Sequence, residues 1–198
     1  MLQNMRPILL SISMISTSLL TAQTMIIDPD RSMVEWTAAK VTGSHNGQVA
    51  IRSGEIVLNA GMLGTADVVM DMTTITCTDV THEGANAKLV GHLKSDDFFS
   101  VEQHGTATFR TTTVEMVPTQ RNGRMYNVTG DLTIKGITHP ASFTCLVEDV
   151  DDGVHAHGSL SFDRTKYDIR YRSGAFFEDL GDKMIMDEVH LNFDLRTK

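Results

Sequence analysis

The chain has few cysteines, few bases and few aromatics, and each shortage excludes something. Cys77 and Cys145 are the only cysteines in 198 residues, with no C-x-x-C spacing. Dithiol redox motifs and cysteine-based zinc sites are therefore not indicated. An even count permits one disulfide, but both cysteines fall in alternating stretches that read as strands, and free thiols are expected. Lys and Arg number 17 against 25 Asp and Glu, a net charge of −8. Sequence-independent binding to nucleic acid needs the opposite balance, and an acidic chain gains no general attraction to anionic membranes. Aromatics make up 6% of residues. They form no paired girdles, and polar residues interrupt most strands, which argues against a membrane-spanning barrel.

The first residues, MLQNMRPILLSISMISTSLLTAQT, place Arg6 before a hydroxyl-rich apolar run from Ile8 to Leu20, with small residues after it. The run is too short for a comfortable membrane span. The layout is that of a secretory signal peptide cleaved after Ala22. Removing residues 1–22 takes away one Arg and no acid, leaving 176 residues with a charge of −9. That length suits one domain, 23–198, with a sizeable core or an enclosed cavity. A periplasmic or secreted location is expected.

Alternation dominates the rest. Val189, Leu191, Phe193 and Leu195 share one face of a strand, and His190, Asn192, Asp194 and Arg196 the other. The same period places Tyr126, Val128, Leu132 and Ile134 together, then Ala141, Phe143, Cys145 and Val147, then Val154, Ala156, Leu160 and Phe162. Shorter strands are expected at 33–41, 48–59 and 65–73. Asn122-Gly123, Asp152-Gly153 and Lys135-Gly136 read as hairpin turns, with His139-Pro140 closing a strand. Residues 84–95 break the pattern: Leu89, Val90 and Leu93 fall on one helical face. About eight strands and one short helix predict an all-β barrel or sandwich.

Four stretches together resemble the YceI-like family of exported bacterial proteins: WTAAKVTGSHNG (36–47), HLKSDDFFSVEQHGTATF (92–109), VTGDLTIKGITHPASF (128–143) and SFDRTKYDIRYRSGAFFEDLGDKMIMDEVHL (161–191). Asp182 and Asp187 also fit the family's form before the last strand. The resemblance runs from about Ile27 to Leu195. It implies a lipocalin-like antiparallel β-barrel whose apolar interior holds a long isoprenoid or related amphiphilic lipid. It brings no catalytic residues, and no cofactor is expected.

Several residues are candidates for a site. Asp96-Asp97 precedes Phe98-Phe99. Adjacent carboxylates point apart, so a helix exit and turn outweighs an acid/base pair, while the phenylalanines cap or line a pocket. Trp36, with Val34 and Ala38, and the series Tyr167, Ile169, Tyr171, each taken as one strand face, would line a cavity or fill a core, as would Phe162. Arg164, near Asp163, Lys166 and Arg170, could grip a phosphate headgroup or pair structurally with Asp163. His45 could meet a headgroup or hold a loop. His155 and His157 form H-x-H on one strand face opposite the apolar one. Such a pair binds zinc or copper when a third ligand arrives; none is apparent in sequence, and no metal is expected.

The expected function is a periplasmic carrier or reservoir for a long isoprenoid-type lipid. An enzyme acting on a lipid or quinone in the barrel is the first alternative, and a filled barrel acting as an interaction module the second. A homodimer is compatible with either.

Overall fold

The computed structural model describes residues 21–198. The leader expected at 1–22 lies outside the described residues except for its last two. Nine strands follow: β1 (Ala22–Ile26), β2 (Met33–Lys40), β3 (Gly43–Asn59), β4 (Met62–Asp71), β5 (Thr106–Val117), β6 (Arg124–Ile134), β7 (Ile137–Val150), β8 (Gly153–Asp163) and β9 (Ile185–Arg196), with one helix, α1 (Glu83–Lys94). Every neighbouring pair is antiparallel, and β2 to β9 close into a ring of eight. This is the expected all-β barrel.

Closure depends on β3. Its first half pairs with β2 (Lys40↔Gly43 to Met33↔Ala50), and its second half pairs with β4 beyond a register shift at Ile51/Ser53. Such an irregularity bends a strand and increases its twist. Each half keeps one further edge, and both are covered. β1 pairs along Glu55–Asn59. The loop after β4 takes the other, with Thr76 and Thr78 amides donating to the Gln48 and Asn46 carbonyls at 2.9 Å each. Covering these edges removes templates for unwanted strand addition.

The alternation translates directly into sidedness. Tyr126, Val128, Leu132, Ile134, Cys145, Val147, Val154, Ala156, Phe162, Val189 and Leu195 are all buried in one core. Two hairpins use the tight turn that requires both central residues in the left-handed region: Ala60-Gly61 (φ 50° and 76°) and Lys135-Gly136 (φ 51° and 71°). The β5–β6 connection containing Asn122-Gly123 is longer, and β7–β8 turns at 151–152.

Three local expectations need correcting. Pro140 does not end a strand, because β7 runs through it. β8 pairs with β7 only from Thr144 onward, so the missing N–H of Pro140 can fall on an edge with no ladder to break. Cys77 lies in the loop after β4, not on a strand, whereas Cys145 is on β7; both are buried free thiols. Tyr167, Ile169 and Tyr171 do not share a strand. Residues Arg164–Tyr167 form a short 3-10 turn capped by Asp163, whose carboxylate accepts from the Thr165 amide. Asp168 then takes a left-handed conformation (φ 58°) that breaks any period of two.

The first family-like stretch, WTAAKVTGSHNG, is a clamp for the loop after β4. Trp36 Nε1 donates to the Thr76 carbonyl (3.0 Å), the Asn46 amide and His45 Nδ1 both meet the Asp79 carboxylate (2.9 and 2.8 Å), and the Thr78 hydroxyl donates to Asn46 Oδ1 (2.7 Å). Gly47 stands opposite Trp36 in register, and a Cβ there would strike both the Thr76 carbonyl and the indole ring. Gly47→Ala is therefore expected to cost about 1–3 kcal/mol by overpacking, read as a lower urea midpoint with an unchanged slope.

Candidate ligand-binding bore

Inside the ring lie two apolar cavities of about 70 Å³ each. They share Val34, Met70, Leu132 and Leu191 in their walls, so they adjoin within the interior of the ring, the bore of the barrel. The lower segment is lined by Trp36, Ala38, Val49, Met72, Ile75, Leu93, Phe98, Phe99, Phe162, Ile169 and Val189, among others. The upper segment is lined by Ile56, Leu63, Val68, Phe109, Val128, Phe143, Cys145, Leu160, Phe193 and Leu195. Besides apolar side chains and the Cys145 thiol, the two linings contain Thr111 and Arg164. Burial pushes the Cys145 thiol up to about 12, so it remains a neutral thiol in this wall.

Both polar exceptions are satisfied structurally. Backbone pairing between β4 and β5 stops at Asp67↔Arg110. Beyond it the Thr111 hydroxyl takes over, accepting from the Ala66 amide (3.1 Å) and donating to its carbonyl (3.0 Å). The Tyr126 hydroxyl accepts from the Leu63 amide (3.1 Å) farther along the same seam. Side-chain oxygens thus replace ladder bonds where the two strands part.

Arg164 is the second exception. Its Nε donates to the Met186 carbonyl, its Nη1 to Ile169 and Tyr171, and its Nη2 to Ile185 and to Asp187 Oδ1, all at 2.8–3.0 Å. A guanidinium has five N–H donors, and five acceptors are in place. None remains for a lipid phosphate, so the expected headgroup grip is not available. The expected structural pairing exists, with Asp187 in place of Asp163. Asp187 also accepts from Ser173 (2.9 Å). Burial lowers the Arg164 pKa, while Asp187 and Asp163 act to raise it.

The lower end is covered by α1 and its exit. His82 caps the helix, its Nδ1 accepting from the Ala85 amide (3.2 Å), and of the helix residues Leu93 alone is buried. The chain then reverses through Ser95–Val101. The Phe98 and Ser100 amides donate to the Ser95 carbonyl, the Phe99 amide to Leu93 and the Val101 amide to Lys94, with Ser100 in the left-handed region. Asp96 accepts from the Ser100 hydroxyl and Asp97 faces His92 Nε2 (3.1 Å). The two aspartates hold a turn and do not converge, as expected from their adjacency. Both phenylalanines line the lower cavity.

The remaining candidates divide by position. Trp36, Phe98, Phe99, Phe162 and Ile169 line the bore. Tyr167 is buried behind it, edge-on to Phe162 and His139, with its hydroxyl pushed up to about 12 by burial. Tyr171 packs on His92 and Phe98. His45 serves the loop clamp. His155 and His157 stand on the outer wall, on the face opposite the bore. The upper half of the bore was present in the alternating faces that place Phe143, Phe193 and Leu195 inward, but alternation alone cannot tell a cavity wall from a filled core.

Fold and interior together define a small closed antiparallel barrel with an apolar bore capped at one end by a helix and turn. The chain belongs to the YceI-like family, whose domain matches residues 26–197. It resembles UPF0312 proteins of Pectobacterium carotovorum (31% identity over 98 residues, 46% of this chain and 48% of that one) and Pseudomonas aeruginosa (34% over 89 residues, 44% and 42%). The chain spans roughly a third to a half of the length of the curated relatives it matches. Among solved structures it shares its fold with BcnA of Burkholderia cenocepacia (TM-score 0.65, 21% identity, 85% of this chain and 98% of that one). It also shares it with a polyisoprenoid binding domain from Saccharophagus degradans (TM-score 0.62, 16% identity, 89% and 97%).

Arg164 at the bore and Asp79 in the loop clamp each set a stability expectation. Arg164→Met leaves five acceptors without their donor and Asp187 without its cation, and is expected to destabilise the fold by about 3–5 kcal/mol, measured by urea unfolding. The second concerns Asp79. Burial works to raise its carboxyl, but the Asn46 amide, His45 and the Cys77 thiol outweigh burial and hold it down at about 2, against an ordinary 3.8. A depressed carboxyl contributes stability above its unfolded value that is lost as pH falls through the folded one. The stability gap between wild type and Asp79→Asn should therefore be full above about pH 4 and shrink toward pH 2, read as urea midpoints across that range.

Proposed function

We propose that this protein is an exported carrier or reservoir that shields the apolar chain of an isoprenoid-type lipid within its barrel. The observation that carries this reading is the bore itself: two adjoining apolar cavities, with both polar wall residues already satisfied. Such a lining offers an alkyl or isoprenoid chain burial without competing hydrogen-bond groups. Each methylene removed from water contributes about 0.8 kcal/mol. Membership in the YceI-like family and the shared fold with a polyisoprenoid binding domain support the same reading. Binding is favoured over catalysis because the bore presents no pair of converging acid and base groups among the described residues.

The cavities of about 70 Å³ are smaller than the roughly 300–1,000 Å³ of sites for small organic ligands. Loading a long chain therefore requires wall residues to move. Phe98 and Phe99 sit on a turn, beneath a helix with one buried residue, and Met70 and Met72 are flexible fillers. A ligand would enter by displacing these groups. The small volumes also favour a second reading, a filled barrel that acts as an interaction module.

The two are separated by organic extraction of protein from its native host, with mass spectrometry of the extract. A long isoprenoid lipid should accompany wild type. Phe98→Asp and Phe99→Asp, each checked for fold by circular dichroism, should lose it, since an unpaired charge beside an alkyl chain is strongly unfavourable. Asn192→Asp, on the outer face, should retain it. Wild type that carries no long lipid and takes up none in a detergent-free titration with polyprenyl phosphate would leave the filled barrel as the better reading.

A further inference from the structure

The outer wall carries a second constellation, on the face away from the bore. His155 and His157 leave the same side of β8, and their rings stack with centroids 4.8 Å apart. Glu148 on β7 stands opposite His155 in register. Its Oε2 lies 3.7 Å from His155 Nδ1 and 3.4 Å from His157 Nε2, and one donor atom from each of the three residues falls within 4.8 Å of the others. We propose that Glu148, His155 and His157 form a binding site for a divalent transition ion of the zinc or copper class.

Three observations carry this. The first is spacing. Ligands at about 2.0–2.1 Å from a tetrahedral ion stand roughly 3.4 Å from one another, so the two separations from Glu148 already approach those of a coordinated ion. The second is orientation. His155 Nε2–H donates to Asp194 Oδ2 at 2.9 Å. In the neutral ring that bond keeps the proton on Nε2 and leaves a lone pair on Nδ1, the nitrogen 3.7 Å from Glu148 Oε2. A carboxylate behind a histidine is the usual arrangement that holds a metal-ligating imidazole in place. The third is rigidity. All four side chains rise from paired positions on β7, β8 and β9, and His155 is 14% exposed, so its ring is held by its neighbours. Arg196 lies 3.5 Å from the other oxygen of Asp194 and neutralises part of that carboxylate, on the side away from Glu148. Two imidazoles and one carboxylate suit zinc or copper, and three protein ligands leave a position for water or an anion.

The experiment uses the full chain without a histidine tag. Protein is loaded with zinc chloride and dialysed, retained metal is measured by elemental mass spectrometry, and affinity is obtained by competition with a chromophoric chelator. Wild type should retain about one zinc per chain. His157→Ala and Glu148→Gln should each abolish retention, and Asp194→Asn should weaken affinity by about 10–100-fold, the usual effect of losing a carboxylate behind a ligating histidine. His45→Ala should leave retention unchanged, which separates this site from the His45, Cys77 and Asp79 group on the loop clamp. Copper-loaded protein should show two nitrogen ligands by electron paramagnetic resonance. Circular dichroism establishes that each variant is folded. Wild type that keeps no zinc, folded His157→Ala that keeps as much as wild type, or loss in His45→Ala would overturn the proposal. Neither readout depends on lipid, so this site and the bore stand or fall separately.

Discussion

The structure depends on one constraint: a barrel has no free edge only if its first and last strands both find the same partner system. Here β3 solves it by serving two neighbours in succession on each side. Its early half takes β2 on one edge and the loop after β4 on the other, and its later half takes β1 and β4. The bend at Ile51/Ser53 lets one long strand turn the corner of the ring. Closure in turn creates the inside and outside on which everything else rests. A strand in a closed ring can present alternate residues to a dry interior along its whole length, and the apolar bore follows from that.

Much of this was legible as a pattern of two. The faces built on Tyr126, Ala141, Val154 and Val189 point inward as read, and α1 occupies almost the span its apolar spacing suggested. The sequence did not disclose where alternation was coincidental. Tyr167, Ile169 and Tyr171 have the spacing of a strand face, yet the chain around them is organised by a buried guanidinium that demands backbone carbonyls. Five acceptors can converge on Arg164 only where the chain is irregular, because a paired strand spends its carbonyls on its neighbours. The composition of a positive cluster is the same whether its arginine faces a ligand or the backbone. Only the acceptor set distinguishes them.

Three of the four family-like stretches also prove to be scaffold, and the fourth, 128–143, is the β6–β7 hairpin that puts Val128, Leu132 and Phe143 into the bore wall. WTAAKVTGSHNG clamps the loop that covers β3, the stretch containing Asp96-Asp97 reverses the chain after α1, and the stretch containing Arg164 organises the long connection to β9. Each ties an irregular segment to the ring at the end where Trp36, Phe98 and Phe162 meet. Irregular backbone cannot satisfy itself as a ladder does, so it needs specific side chains, and part of the sequence resemblance rests on these. The bore itself asks only for apolar residues of suitable size, which many sequences supply.

This separation bears on the two sites proposed for the wall and its interior. The inward positions of β7, β8 and β9 contribute Cys145, Ala156 and Leu195 to the upper bore. Outward positions beside them contribute Glu148, His155, His157 and Asp194. A strand that packs against a dry interior is fixed by that packing, and the same fixed backbone sets the spacing of whatever stands on its other side. The ordering that an outer constellation of polar side chains would have to supply from its own interactions is thus provided largely by the core behind it. A surface site on such a wall needs no buried polar network and no loop of its own. It needs facing residues of the right kind at paired positions, and the register of β7 with β8 brings Glu148 to His155.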